Sequence, residues 1–227
     1  MKSIILLHGA LGAQDQLESL SERLSDLDYD VFLLSFSGHY NNPFEKDFGI
    51  HQFSKELKSL IEEFKLVKPN IFGYSMGGYV ALYLASQEKN LIGNIITLGT
   101  KFNWTKEIAD KEIKQLNPKT ITEKVPKFAA ALQKRHGNNW ELLLNRTADM
   151  MVALGENNLL GKDLFSIIEN KVLIALADGD NMVSIEETDF AQLNLKNSER
   201  LTLKNTKHSF ETVNAKELAR IIDGFCR

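Results

Sequence analysis

The stretch Asn70-Ile71-Phe72-Gly73-Tyr74-Ser75-Met76-Gly77-Gly78 decides the fold. An apolar run leads into it and a helical run, Tyr79–Ala85, follows, so the sequence predicts a strand, a sharp turn with a serine at its tip, and a helix. Side chains at positions 73 and 77 would crowd so tight a turn, which explains the two glycines. Ser75 is a candidate nucleophile, and the N–H of Met76 at the helix start is a candidate donor to an anion. An ordinary Gly/Ser turn is the alternative.

The composition is typical of a globular protein and argues against several classes. The chain has 227 residues, 43% hydrophobic and 25% charged, with a net charge of −3, so no basic field indicates nucleic-acid binding. No apolar run approaches the ~20 residues of a membrane span. The single cysteine, Cys226, excludes an intrachain disulfide and favours a reducing cytoplasm. No cysteine or histidine spacing indicates a metal site, and we expect a cytoplasmic protein without metal or cofactor.

Strands and helices alternate along the chain. Short apolar runs predict strands, and runs with apolar residues three and four apart predict the helices between them. The predicted strands are Ser3–Leu7, Val31–Ser35, the run into Ser75, Asn94–Leu98, Lys171–Leu176 and Glu199–Leu203. This alternation predicts an α/β protein with a mainly parallel sheet of about six strands and helices on both faces.

The alternation breaks between residues 101 and 161. Helices are predicted near Trp104–Leu116, Thr122–Lys134 and Asn139–Leu154, which is far more chain than a crossover needs. We interpret residues 101–161 as a helical cap inserted into a core of residues 1–100 and 162–227. The stretch Lys101–Leu160 carries ten Lys or Arg and seven Asp or Glu. This balance would favour an acidic acyl or leaving group, but solvated helix faces are the preferred explanation.

A serine nucleophile needs a general base, and histidine is the usual one. In a parallel sheet the base should lie just past the carboxyl end of a strand. His208, between the last strand and the last helix, fits best. The other four histidines have simpler explanations: His8 would brace its turn, His39 would order a loop, His51 would lie solvated at a helix start, and His136 would lie in a surface loop.

The orienting acid should follow the fifth strand, where Asp178 and Asp180 both occur. Either could be a turn aspartate beside Gly179, but Asp180 lies deeper in the loop and can reach the last loop more freely. The oxyanion hole needs a second backbone donor besides Met76. The loop after the first strand can supply it, through the N–H of Ala10 or alternatively that of Leu11.

Together these motifs resemble the α/β-hydrolase superfamily, over nearly the whole chain outside the cap. The candidate serine, acid and histidine occur along the chain in the family's order. The motifs that carry the resemblance are the His8-Gly9 loop, Ser37-Gly38-His39, Gly73–Gly78, Asp178–Val183 and His208. In the family's acid loop the second aspartate is the triad acid, which favours Asp180. The family usually has eight strands and Ser3–Leu7 corresponds to the third, so the resemblance implies a sheet without the first two.

The resemblance implies acyl transfer through a Ser75–Asp180–His208 triad. The expected activity is that of a serine hydrolase cleaving a carboxylic ester or thioester of a small to medium acyl group. A serine at this position argues against dehalogenase and epoxide-hydrolase relatives, which use an aspartate. Alternatives are C–C hydrolase, lyase or perhydrolase chemistry, or a slow-turnover ligand-binding module. The expected pocket residues are Leu11, Tyr74, Phe102, Trp104, Trp140 and Met150.

Overall fold

Six parallel strands form one sheet in a computed structural model that describes residues 2–227. Met1, the first residue of the predicted core, lies outside the described residues. The strand order is β2-β1-β3-β4-β5-β6. The strands are β1 (Lys2–Leu7), β2 (Tyr29–Leu34), β3 (Asn70–Tyr74), β4 (Ile95–Leu98), β5 (Val172–Gly179) and β6 (Ser198–Lys207). The predicted fold class is confirmed.

Ten α-helices connect and cover the strands within the described residues. They are α1 (Glu18–Ser25), α2 (Ile50–Glu63), α3 (Met76–Gln87), α4 (Lys106–Glu112), α5 (Pro118–Lys124), α6 (Pro126–His136), α7 (Trp140–Glu156), α8 (Lys162–Ile167), α9 (Ile185–Asn194) and α10 (Ala215–Cys226). Short 3₁₀ turns precede α1 and α7 and follow α4 and β6.

The side chains of the strands alternate between two apolar layers, as the pleat requires. Ile5 and Ile71 point into the layer covered by α2, α3, α8 and α9. Ile4 and Phe72 point into the opposite layer, which α1 and α10 cover. Burial on both faces explains why these strands read as continuous apolar runs. Cys226 lies buried in the second layer, where burial raises the pKa of its thiol to about 11.

The register brings the carboxyl ends of the central strands to one edge. Leu7 of β1 pairs with Gly73 of β3, and Leu98 of β4 pairs with Tyr74 on one side and Ala175 of β5 on the other. The loops after β1, β3, β4, β5 and β6 therefore leave the sheet at the same end. That edge is where an open parallel sheet places its functional groups.

Four helices, α4 to α7, replace the three predicted within residues 101–161. The helix predicted over Thr122–Lys134 is two helices, α5 and α6, divided at Val125–Pro126. Proline lacks an N–H and fixes its own φ, so it suits the first turn of a helix better than the interior. Pro126 therefore starts α6, as Pro118 starts α5. No helix in residues 2–227 is both long and apolar enough to cross a bilayer.

Candidate active site

Ser75 lies at the tip of the turn between β3 and α3, with φ 50° and ψ −115°. This left-handed conformation is unfavourable for a serine and must be held by its surroundings. Ser75 N donates to Leu98 O at 2.8 Å, and Thr100 Oγ1 donates to Ser75 O at 3.0 Å. Both contacts come from β4 and the loop after it, so the neighbouring strand fixes the backbone of the turn.

Close backbone approach explains the two glycines that flank Ser75. A β-carbon placed on Gly73 would lie 2.4 Å from Gly78 N, and one placed on Gly77 would lie 2.6 Å from Leu7 O. Real β-carbons essentially never approach other atoms so closely. Glycine at 73 lets the helix fold back over the strand, and glycine at 77 lets that helix pack against β1.

Asp180 and His208 form a hydrogen-bonded pair past the ends of β5 and β6. Asp180 Oδ2 lies 2.7 Å from His208 Nδ1, and the Asp180 side chain is 1% exposed. Its other oxygen, Oδ1, accepts from Met182 N at 2.8 Å and Val183 N at 2.9 Å. Burial opposes ionisation of Asp180, but the hydrogen bonds from His208 and the two backbone N–H groups outweigh it and keep its pKa below the ordinary value.

Asp178, the alternative acid, is placed away from His208 and joins β5 to β6. Its two carboxylate oxygens accept from Asn205 N at 3.0 Å and Thr206 N at 3.2 Å. These backbone hydrogen bonds hold the pKa of the exposed Asp178 carboxyl below its usual value. Of the two aspartates, Asp180 is the one that contacts the His208 ring in residues 2–227.

His208 and Ser75 stand at the same sheet edge, on either side of Tyr74. The Tyr74 hydroxyl donates to His208 O at 2.8 Å, and the two rings are 5.6 Å apart. A β-carbon on Gly99 would lie 3.3 Å from His208 Nδ1, so the imidazole covers the end of β4. Within residues 2–227 the Ser75 hydroxyl makes no hydrogen bond to the His208 ring; this contact is often looser before substrate binds.

The loop after β1 lies beside the serine. A β-carbon on Gly9 would be 3.1 Å from Ser75 Cβ, and Gly12 N donates to Gly9 O at 3.0 Å to close the turn. Ala10 and Met76 line the same small cavity as Ser75. Met76 is the first residue of α3, so its N–H has no acceptor inside the helix. The two predicted oxyanion donors thus belong to residues that border the serine cavity.

Three histidines, His8, His39 and His136, are buried next to the loop after β1. His8 Nδ1 donates to Gly9 O at 2.8 Å, and its Nε2 accepts from Phe36 N at 3.1 Å, so the ring is neutral. Burial lowers the pKa of His8 to about 4 and holds the pKa of His39 well below its usual value. The His8 and His39 rings are 4.7 Å apart.

The prediction that His136 lies in a surface loop is wrong. His136 ends α6 and is 2% exposed, because its ring bridges two backbone groups of the core. Its Nδ1 accepts from Tyr40 N at 2.9 Å, and its Nε2 donates to Leu11 O at 2.9 Å. Burial lowers the pKa of His136. The segment between β4 and β5 is therefore tied directly to the loop that carries Ala10.

A cavity of about 40 Å³ adjoins Ser75. Two of the predicted pocket residues, Trp104 and Met150, line it. The prediction for the other four pocket residues needs correction, because each packs elsewhere. Trp140 belongs to an apolar cluster inside the helical segment, and Leu11 packs against that cluster; Phe102 packs on Phe165 in the core; and Tyr74 lies beneath His208. Met151, the neighbour of Met150, also lines the cavity, and four further lining residues were not predicted from the sequence: Ile50, Tyr79, Lys101 and Leu154.

Lys101 is the one charged residue among those that line the cavity. Its Nζ donates to Met182 O at 2.5 Å and lies 3.5 Å from Glu112 Oε1 and 4.0 Å from Glu187 Oε1. These partners neutralise the ammonium group inside a largely buried site. Its position two residues after Gly99, in the loop that ends β4, is the sequence signal that could have identified it.

Comparison with known proteins agrees with this architecture. The sequence profile described as the alpha/beta hydrolase fold matches residues 2–139, which is more than half of the chain. The chain therefore belongs to the α/β-hydrolase family.

The individual relatives are distant. An sn-1-specific diacylglycerol lipase from Mus musculus is 25% identical over 99 residues, covering 43% of this chain and 32% of that protein. The chain thus spans about a third of that relative. An esterase from Exiguobacterium antarcticum superposes with a TM-score of 0.81 at 18% identity, covering 100% of this chain and 92% of the other. An enol-lactonase from Burkholderia xenovorans superposes with a TM-score of 0.80 at 14% identity, covering 99% of this chain and 90% of the other. These structures show a shared fold.

Proposed function

We propose that this α/β-hydrolase is a serine hydrolase that cleaves a carboxylic ester or thioester through an acyl-enzyme. The observation that carries the proposal is the 2.7 Å contact between the buried Asp180 carboxylate and His208 Nδ1 at the sheet edge that also holds Ser75. A carboxylate in this position fixes the imidazole tautomer in which Nε2 is free to accept a proton.

In the proposed first half-reaction, Ser75 Oγ attacks the substrate carbonyl carbon while His208 Nε2 takes the hydroxyl proton. The N–H groups of Met76 and Ala10 stabilise the negative charge that develops on the carbonyl oxygen. A single such donor typically lowers the barrier by about 3 kcal/mol. The tetrahedral species then collapses, and the leaving alcohol or thiol receives the proton from His208.

In the second half-reaction, water attacks the acyl-enzyme and His208 again acts as the base. The C–O bond to Ser75 breaks, its hydroxyl regains a proton, and the carboxylic acid is released. Asp180 stays ionised throughout, because its hydrogen bonds favour the charged form.

We propose further that residues 101–161 act as a cap over the serine, with the core formed by residues 1–100 and 162–227. Two contacts support this role. Glu187 Oε2, at the start of α9, accepts from Phe102 N and Asn103 N and fixes the start of the segment. Tyr79 of α3 accepts a hydrogen bond from Leu160 N at 2.8 Å and so fixes the end. Substrate selectivity is then expected to depend on Trp104 and Met150, which border the cavity.

A fluorophosphonate probe tests the nucleophile directly. We expect covalent labelling of the wild type and none of Ser75→Ala; Ser209→Ala, which removes an exposed hydroxyl next to His208, is the matched control and should label normally. Absence of labelling in the wild type, or labelling that survives Ser75→Ala, would refute the proposal.

A substrate panel then separates the reaction classes. Nitrophenyl esters and acyl thioesters of increasing length should be hydrolysed with Ser75-dependent kinetics. Probe labelling without turnover of any panel member would instead favour C–C bond chemistry or a slow ligand-binding module.

A further inference from the structure

A second and much larger cavity lies next to the serine cavity. It measures about 440 Å³ and is formed between the start of α2 and the carboxyl-terminal half of α7. Ligand pockets for small molecules measure about 300–1,000 Å³, so this cavity falls in that range. The cavity at Ser75 measures about 40 Å³, which is about a tenth of the volume of the larger cavity.

Three side chains line both cavities and form the wall between them: Ile50, Met150 and Leu154. Met150 reaches from α7 towards the start of α2, where its Cγ would lie 3.5 Å from a β-carbon placed on Gly49. Methionine is unbranched and flexible, and it adapts to irregular gaps more readily than isoleucine or leucine. Met150 is thus the most easily displaced part of the wall.

The chemistry of the larger cavity indicates what it can hold. Its buried and half-buried walls are apolar apart from Gln52 and include Phe48 and Leu159, whereas its exposed rim is polar apart from Ala153. The rim carries two carboxylates, Asp47 and Glu156, against one ammonium group, Lys55. A ligand with an anionic end would meet net negative charge there, so an uncharged apolar chain fits best. This charge balance argues against the acidic acyl group that the basic composition of residues 101–160 favours.

We propose that this cavity, between α2 and α7, is an acyl-chain site and that Met150 is the gate connecting it to Ser75. The substrate class that follows is an ester or thioester of an uncharged acyl chain of medium length. The hydrolytic step rests on the proposed function, whereas the occupancy of the cavity by an apolar chain does not.

Blocking the cavity from its outer side tests the site. Ala153 is exposed on α7 and lines only the larger cavity, so Ala153→Trp should fill it without touching the serine. Asn145→Trp, at another exposed position on α7 that lines neither cavity, is the matched control. Each methylene that is removed from water strengthens binding about fourfold. Ala153→Trp should keep several methylenes of the octanoyl chain out of the cavity and so lower kcat/KM for nitrophenyl octanoate at least about tenfold. Its kcat/KM for nitrophenyl acetate should change less than about twofold.

A second pair of variants tests the gate. Met150→Ala should raise the octanoate-to-acetate ratio of kcat/KM, since it opens the wall between the cavities. Met151→Ala removes a similar side chain that lines the serine cavity alone, so it should leave the ratio unchanged. Equal ratios in the two variants would refute the role of Met150.

A binding measurement keeps the inference separate from catalysis. Octanamide should raise the melting temperature of Ser75→Ala, and acetamide should not, because only the longer chain reaches the large cavity. Adding Ala153→Trp should abolish the octanamide shift. No octanamide shift, or a shift that survives Ala153→Trp, would overturn the acyl-chain site. The octanamide shift without ester hydrolysis would support the site while refuting the proposed reaction.

Discussion

Replacing Asp180 with asparagine should lower kcat by about three to four orders of magnitude. The geometry explains why the amide would face His208 with the wrong group. Oδ1 accepts hydrogen bonds from Met182 N and Val183 N, and an asparagine keeps these bonds only by leaving its oxygen in place. Its NH₂ then replaces Oδ2, at the position 2.7 Å from His208 Nδ1. A donor at that position forces Nδ1 to accept, which moves the ring proton to Nε2 and removes the base that Ser75 needs.

Asp178→Asn is the matched control, since it makes the same chemical change two residues away. The two Asp178 oxygens accept from Asn205 N and Thr206 N respectively, so the amide loses one of these acceptors but does not touch His208. We expect its kcat to remain within about twofold of the wild type, because rate loss requires the wrong tautomer. Both variants should remain folded, which the melting temperature and circular dichroism check.

Two measurements on each variant are needed, the rate of ester hydrolysis and the tautomer of the His208 ring. Initial rates on a reactive nitrophenyl ester give kcat, and ¹⁵N chemical shifts of His208 report which ring nitrogen carries the proton. Wild type and Asp178→Asn should show protonated Nδ1, and Asp180→Asn should show protonated Nε2. Equal rate losses in the two variants, or a greater loss in Asp178→Asn, would refute the assignment of Asp180 as the orienting acid.

Two further predictions concern stability. Gly73→Ala should destabilise the protein by about 3 kcal/mol or more, because its β-carbon would meet the backbone of α3. At Gly224 a β-carbon would meet no atom within 4 Å beyond the backbone of its own helix, so Gly224→Ala should be neutral or stabilising by up to about 1 kcal/mol. Urea unfolding of both variants checks these values. Acidification should also weaken the fold, because the folded pKa of His8, about 4, lies below the unfolded value of about 6.5. The stability that neutral His8 preserves is complete above about pH 6.5 and is lost as the pH falls towards 4, by roughly 2 kcal/mol between about pH 7 and pH 5. Burial also lowers the pKa of His136, so His136→Gln should make the pH dependence of stability shallower. A free energy of unfolding that is equal at pH 7 and pH 5 would contradict the argument.

The parts of this protein that the sequence predicts well depend on constraints between near neighbours or on the regularity of a parallel sheet. Gly73 and Gly77 are required by atoms of the turn and of the adjacent strand. Asp180 and His208 could be located because each follows a strand, and parallel strands end at one edge. The predicted sixth strand, Glu199–Leu203, is only part of β6, because the last residues of β6 are polar and lack the apolar signal.

The helices of residues 101–161 were harder to predict because one apolar arc can contact two different neighbours. Trp140 and Met150 lie on the same helix, and at about 100° per residue they are about 80° apart around its axis. Leu144 follows Trp140 and Leu154 follows Met150 one turn later, so the helix carries two adjacent apolar stripes. The first packs into the cluster with Leu132, and the second borders the cavity at Ser75. Periodicity shows that both stripes are buried, but what each one meets is decided by the angle at which α7 crosses the core, and that angle depends on contacts distant in sequence.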